Sequence, residues 1–266
     1  MSTVAQQGAA VTDPILKSER MANAAAASQG EAATTQAAPS LIKKLTHWPA
    51  IYMELGKFRL STLVVGTTAS GYYMGAAAFD PAVFGVTVSG TMMAAMSANT
   101  INQWYEVAND SKMGRTLKRP LPSGRISPNH ALAVGVGTGA AGSLLLASAI
   151  NPLAGGLAAS NILLYTMAYT PMKVLHPVNT WIGAVVGGLP PLIGYAAATG
   201  GLDPSAGLLG AMLFSWQFPH FMALAHYCKK DYLAGGYKML SDKRAAGVAL
   251  RHSLFLVSRL ASARPS

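Results

Sequence analysis

The chain has 266 residues and is 51% hydrophobic but only 11% charged, whereas soluble domains carry roughly 25% charged residues. Its single cysteine, Cys228, excludes an intramolecular disulfide and a cysteine-based metal site. A formal net charge of +10 would be typical of nucleic-acid binding, but the positions of the charges along the chain argue against that function.

Residues 1–46 are predicted to be a disordered N-terminal region, because they are rich in Ala, Ser, Thr and Gln and show no periodicity. A mitochondrial presequence is the alternative, although Asp13, Glu19 and Glu31 count against it and arginine is scarce. Residues 47–266 are predicted to form one membrane domain. It begins with an amphipathic piece over residues 48–59 that lies along the membrane interface.

Six apolar runs of about 20 residues predict six membrane-spanning helices in an all-α, polytopic bundle. The runs cover roughly residues 60–78, 82–106, 129–149, 153–170, 179–199 and 205–228. Short turns with an Asp-Pro or Asn-Pro pair join the runs at residues 80–81, 151–152 and 203–204.

A seventh run begins near Gly247 but is interrupted by Arg251, His252 and Arg259. Each arginine at the centre of a membrane helix costs about 2.5–3.5 kcal/mol on insertion scales. We therefore expect an incomplete seventh span, with residues 247–266 at the membrane interface and a domain truncated at its C-terminus.

All 20 lysines and arginines lie on one predicted side of the bundle. They occupy the N-terminal region, the loops over 107–128, 171–178 and 229–245, and the final tail. The turns on the opposite side have none, which is the positive-inside pattern and defines the orientation of the chain. The charge excess is thus a topology signal and no nucleic-acid partner is expected.

Asn102, Glu106 and Asp110 are spaced four residues apart, so a helix would place them on one face. Two unpaired carboxylates this close repel each other, and a divalent cation would relieve that repulsion. Mg²⁺ fits best because it takes carboxylate oxygens and shares its other positions with phosphates. Donors for a diphosphate follow directly, at Arg115, Lys118, Arg119 and Arg125. The alternative is a polar helix end followed by a solvated basic loop.

The chain resembles intramembrane prenyltransferases of the UbiA family, and within it the mitochondrial heme O synthases. The resemblance covers most of residues 54–255, in family order. It rests on the stretches ELGKFRLSTLVVGTTASGYYMG, NQWYEVANDSKMGRTLKRPLPSGRISP, LYTMAYTPMK, NTWIGAVVGGLPPLIGYAAATG, SWQFPHFMAL and KKDYLAGGYKML. Asp231 is followed at the four-residue spacing by Gly235, where the wider family has a second aspartate, and this departure favours the heme branch.

The resemblance implies a set of site residues. Asn102, Glu106 and Asp110, with Asp231, would hold Mg²⁺ against farnesyl diphosphate. Catalytic cations would be Arg115, Arg119 and Lys173, and further substrate contacts would come from Lys118, Arg125, Lys230 and His220. For His220, which is expected to reach heme, the alternative is an interfacial histidine bonded to a backbone carbonyl.

The implied reaction transfers a farnesyl group to a vinyl group of heme b and forms heme O in the mitochondrial inner membrane, with the charged loops facing the matrix. The implied partners are the lipid bilayer, heme A synthase and other cytochrome oxidase assembly proteins. Two alternatives stay open: a prenyltransferase acting on a quinone or aromatic acceptor, and an inactive truncated isoform.

Overall fold

The computed structural model describes residues 48–240 and 243–262, which contain helices and no strand. The predicted N-terminal region, 1–46, lies outside the described residues. The described residues from 51 onward belong to one compact unit. A short helix at residues 48–55 precedes the long helices. The long helices are α1 Phe58–Gly75, α2 Pro81–Tyr105, α4 Pro128–Ala149, α5 Pro152–Leu163, α7 Asn179–Thr199, α8 Pro204–Tyr227 and α10 Lys243–Ser262. Short helices α3 Val107–Asp110, α6 Thr170–Leu175 and α9 Lys229–Ala234 lie between them. The all-α prediction is confirmed.

Each predicted Asp-Pro or Asn-Pro turn leads directly into a helix. The residue before the proline is the N-cap of that helix. The Asp80 carboxylate accepts from Ala82 N at 2.8 Å, and the Asn151 side chain accepts from Ala154 N at 2.8 Å. Asp203 accepts from Ser205 N at 2.8 Å in the same way. Proline at the first helical position costs no hydrogen bond, since that N–H has no partner within the helix.

Small residues allow α1 and α7 to approach at backbone distance. The Thr68 hydroxyl donates to the Pro190 carbonyl oxygen at 3.0 Å. A Cβ added to Gly194 would collide with the Thr68 carbonyl oxygen, and one added to Gly71 would collide with that of Pro191. Membrane helices gain little hydrophobic energy by associating in lipid, so close packing through glycine provides the attraction.

The same kind of packing joins α2 to α4. The Ser97 hydroxyl donates to the Gly135 carbonyl oxygen at 2.6 Å, and a Cβ on Gly142 would lie 2.8 Å from the Gly90 carbonyl oxygen. This contact fixes the position of α2, which carries Asn102 and directly precedes Glu106, within the bundle.

The fourth predicted span is not a uniform α-helix. Residues Leu164–Tyr169 form a π-helical turn between α5 and α6. The Thr170 hydroxyl donates to the Tyr165 carbonyl oxygen at 2.8 Å, five residues back. Single π-turns inside helices are frequent at functional sites, because the extra residue per turn changes where the following side chains point.

Four helices of the described chain are long and apolar enough to cross a membrane: α2, α4, α7 and α8. The predicted spans at 60–78 and 153–170 correspond to α1 and to α5 with its π-turn, and for these two spanning remains a prediction.

The charged terminal run packs against the bundle. Residues 243–262 form a continuous helix, α10, that packs along α8. The interfacial position predicted for residues 247–266 stays a prediction. The His252 ring stacks on Phe218 with 3.6 Å between centroids, and Ala245 joins a core cluster with Met222. Within the described residues this helix covers one side of α8.

We expect Gly194→Ala to destabilise the fold by about 3 kcal/mol or more, because the added Cβ must push α7 away from α1. The free energy of unfolding of the detergent-solubilised protein measures this. Gly66→Ala is the matched control, since a Cβ there meets nothing within 4 Å and alanine favours the helix. Equal stability of the two variants would contradict the packing argument.

Candidate active site

The predicted acidic face forms across a break in the helix. Helix α2 ends at Tyr105, Glu106 has φ −93° and ψ 8°, and α3 then begins at Val107. Glu106 N still donates to the Asn102 carbonyl oxygen at 3.0 Å, and Asp110 N to that of Glu106 at 2.8 Å. Both bonds span four residues, so the helical register is kept. All three predicted side chains are buried.

Each polar side chain of this face has a cationic partner. The Lys173 Nζ atom donates to Glu106 Oε1 at 2.8 Å, and an Arg119 guanidinium nitrogen donates to Asp110 Oδ2 at 2.6 Å. The Lys57 Nζ atom donates to Asn102 Oδ1 at 3.1 Å. The cations come from three separate parts of the chain and relieve the repulsion that the sequence assigned to a metal alone.

The pKa values of these groups reflect burial and an excess of positive charge. Burial raises the pKa of Asp110, and Arg119 offsets only part of that effect. Burial lowers the pKa of Lys173, but Glu106 more than compensates and holds it well above its usual range. For Lys57, burial and the nearby Arg119 and Lys173 lower the pKa to about 7. Three cations around two carboxylates form a cluster that a further anion would stabilise.

The donor set fits a magnesium ion that is shared with a ligand. Asp110 Oδ1 is buried and has no hydrogen-bond partner in the structure. No three His, Cys, Asp or Glu residues lie close enough to hold a metal by themselves in the part of the chain that is described. Mg²⁺ commonly takes only one or two carboxylates and fills its other positions with phosphate oxygens and water. Asp110 and Glu106, with the amide oxygen of Asn102, match that requirement.

A second acid, Asp231, lies on the short helix α9. Asp231 Oδ2 is 3.8 Å from Arg115 Nε, and both side chains are partly exposed. The Asn109 side chain donates to the Gly235 carbonyl oxygen at 2.7 Å, which ties the end of α9 to the end of α3. An exposed pair at this distance contributes little to stability, so these side chains are free to take other partners.

The remaining predicted residues lie apart from the buried cluster. Lys118 and Lys230 are exposed, and Arg125 pairs with Glu54 at 2.6 Å. His220 is exposed and stacks on Trp216 with 4.8 Å between centroids. The structure thus brings together Asn102, Glu106, Asp110, Arg119 and Lys173, sets Arg115 against Asp231, and does not join Lys118, Arg125, Lys230 or His220 to either group by a contact.

Sequence reasoning missed three contributors. Lys57 precedes α1, where the sequence predicts only an interfacial piece. Thr170 accepts from the Asn102 amide nitrogen at 3.1 Å. The Tyr169 ring lies 4.5 Å from Lys173 Nζ, a cation–π contact that the four-residue spacing to Lys173 could have indicated.

Comparison with known proteins places this geometry in a family. Residues 63–263 match the model of the UbiA prenyltransferase family. Mitochondrial protoheme IX farnesyltransferase from Arabidopsis thaliana is 54% identical over an alignment of 218 positions, which covers 79% of this chain and 51% of that protein. The Homo sapiens protein of the same name is 47% identical over an alignment of 218 positions, which covers 81% of this chain and 49% of that protein. The chain therefore spans about half the length of these relatives.

The fold agrees with solved structures at low sequence identity. A UbiA homolog from Archaeoglobus fulgidus, bound to DMAPP and Mg²⁺, aligns with a TM-score of 0.65 and 16% identity over 77% of this chain and 75% of that one. The family match covers α2 through α10 and includes every acid of the buried cluster. The chain belongs to the UbiA prenyltransferase family.

Proposed function

We propose that the chain transfers a farnesyl group from farnesyl diphosphate to a vinyl group of heme b, forming heme O. The observation that carries this proposal is the buried cluster of two carboxylates, one amide and three cations, in which Asp110 Oδ1 has no partner. The names of the mitochondrial relatives support farnesyl transfer to heme over a quinone or aromatic acceptor.

The metal would be held by Glu106, Asp110 and the amide oxygen of Asn102. Asp231, which the resemblance also assigns to the metal, does not group with these two acids in the described residues. Mg²⁺ bound there would neutralise the diphosphate and make it a better leaving group. The Archaeoglobus fulgidus relative bound to DMAPP and Mg²⁺ supports a magnesium-dependent prenyl diphosphate site in this fold.

The cations of the site would bind the diphosphate oxygens. Arg119 and Lys173 are already positioned beside the acids, and Lys57 and Arg115 extend the positive surface. As the allylic C–O bond breaks, its electron pair leaves with the diphosphate. Fixed positive groups stabilise that developing charge most where water is excluded, and Lys173 and Arg119 are largely buried.

The organic part of the reaction needs an electron-rich acceptor and little water. The vinyl π electrons of heme b would attack the allylic cation and form the new C–C bond. Water would then add to the resulting cation and lose a proton, leaving a hydroxyl group. Apolar helix surfaces would hold the farnesyl chain and limit hydrolysis before the C–C bond forms.

The sequence supports heme b as the farnesyl acceptor more than any contact in the structure does. His220 is exposed next to Trp216, so an imidazole is accessible for heme iron or a propionate. The lysine and arginine distribution supports an inner-membrane protein with its charged loops in the matrix, and the mitochondrial names of the relatives support that compartment.

Incubation of the purified chain with heme b, farnesyl diphosphate and Mg²⁺ tests the proposal. The expected result is heme O, identified by mass spectrometry, and its disappearance with EDTA. Farnesylation of a quinone or an aromatic acid instead of heme b would assign the chain to another branch of the family.

We expect Asp110→Asn to reduce magnesium-dependent product formation by at least about a hundredfold, since weakening even the groups around a metal's ligands costs 10–100-fold. Asp80→Asn is the matched control, because it makes the same change at a helix cap where asparagine serves equally well. Product formation and the expression level of both variants are measured. Wild-type turnover by Asp110→Asn would remove this residue from the site.

The orientation predicts a labelling pattern. In a Cys228→Ser background, we expect Asp80→Cys and Asp203→Cys to react with a membrane-impermeant thiol reagent in intact mitoplasts, because their turns face the intermembrane space. Lys118→Cys should stay protected until the membrane is opened. The opposite pattern would reverse the orientation.

A further inference from the structure

Tyr237 carries a buried hydroxyl that nothing in the described structure satisfies. Its side chain is 7% exposed, and the hydroxyl oxygen has no hydrogen-bond partner. A phenol normally finds a partner when buried, because leaving the hydroxyl unpaired forfeits its hydration. A group of this kind in a native fold calls for an explanation, and one explanation is a ligand.

The main chain on both sides of Tyr237 is anchored to the other two loops of the site. On the N-terminal side, the Gly235 carbonyl oxygen accepts from the Asn109 side chain at 2.7 Å. On the C-terminal side, Lys238 N donates to the Lys173 carbonyl oxygen at 2.7 Å. The ring is therefore held in place by loops that also carry the acids and the cations, so its position is set before any ligand arrives.

The surroundings of the hydroxyl are those of the buried ion pairs. The charges that act on it are Glu106, Lys173, Asp110 and Arg119, and burial raises the pKa of Tyr237 above its usual range. The phenol consequently keeps its proton at neutral pH and can serve as a hydrogen-bond donor. Asp110, one of the charges that act on the hydroxyl, carries an unpartnered acceptor of its own, Oδ1.

These two groups do not bond to each other, so each requires something that the protein lacks. Asp110 Oδ1 requires a cation or a donor, and the Tyr237 hydroxyl requires an acceptor. A magnesium diphosphate offers both, since its metal suits the carboxylate and its phosphate oxygens suit the phenol. We infer that the Tyr237 hydroxyl binds the diphosphate of the prenyl donor through a hydrogen bond. This inference rests on the proposed function and adds to it a substrate-binding residue on the loop after α9.

Titration calorimetry of the full chain in nanodiscs, with inorganic pyrophosphate and Mg²⁺ as the probe, tests the inference. Tyr237→Phe should weaken pyrophosphate binding about tenfold or more, the usual effect of losing one hydrogen bond to a charged group. Tyr227→Phe is the matched control, because Tyr227 is exposed and loses the same atom. That variant should bind like the wild type.

A melting experiment separates ligand binding from a structural role. Without ligand, Tyr237→Phe should melt at or above the wild-type temperature, because it removes an unsatisfied hydroxyl and keeps the ring that packs edge-to-face on Tyr232. With magnesium pyrophosphate, its melting temperature should rise less than that of the wild type. A lower melting temperature without ligand would mean that the hydroxyl stabilises the fold, and would overturn the inference.

The remaining outcomes are equally decisive. Unchanged pyrophosphate binding by Tyr237→Phe, with normal binding by the wild type, would reject Tyr237 and leave the proposed function intact. Weakened heme binding with unchanged pyrophosphate binding would assign the hydroxyl to the acceptor and overturn the inference. Failure of the wild type to bind magnesium pyrophosphate would reject the proposed function together with the inference.

Discussion

The site depends on the pairing of buried charges. An isolated carboxylate in a low-dielectric bundle carries a desolvation penalty of several kcal/mol, and two of them one helical turn apart would also repel each other. Lys173 beside Glu106 and Arg119 beside Asp110 make this arrangement tolerable. Buried ion pairs are weak sources of stability compared with apolar packing. Their presence here is consistent with the proposed function, in which the carboxylates would hold a metal and the cations would bind an anion.

Close helix packing provides the rigidity that such a site needs. Helix α2 brings Asn102 and Glu106 to the end of the bundle, and its glycine-rich contact with α4 leaves little room for it to shift. The π-turn positions two further side chains of the site. Lys173 follows it, and the Thr170 hydroxyl, directly after it, accepts a hydrogen bond from the Asn102 side chain. An error of about 1 Å in such groups can cost a hundredfold in rate, so the scaffold matters as much as the charges.

The electrostatic balance of the cluster favours an anion. The basic side chains Lys57, Arg119 and Lys173 outnumber the carboxylates Glu106 and Asp110. The pKa of Lys57 is lowered first by burial and then by the nearby Arg119 and Lys173. A bound diphosphate would offset the excess positive charge, because it would place negative charge among the cations. Mg²⁺ would in turn offset the added negative charge near the carboxylates, which explains why a metal and a diphosphate suit this site together better than either does alone.

The sequence by itself determined the helical class, the turns and the acidic face, because each depends only on residues that are close together in the chain. Apolar runs set the spans, Asp-Pro and Asn-Pro pairs set the caps, and the four-residue spacing of Asn102, Glu106 and Asp110 holds on any helix. Only the tertiary structure decided which cation meets which acid, because Lys57 and Lys173 lie 45 and 67 residues from their partners. It also paired Arg125 with Glu54 and not with the buried acids of the site. In addition, it placed a π-turn within the fourth predicted span. These outcomes depend on long-range packing and on competition between charges, and neither of these leaves a periodic signal in the chain.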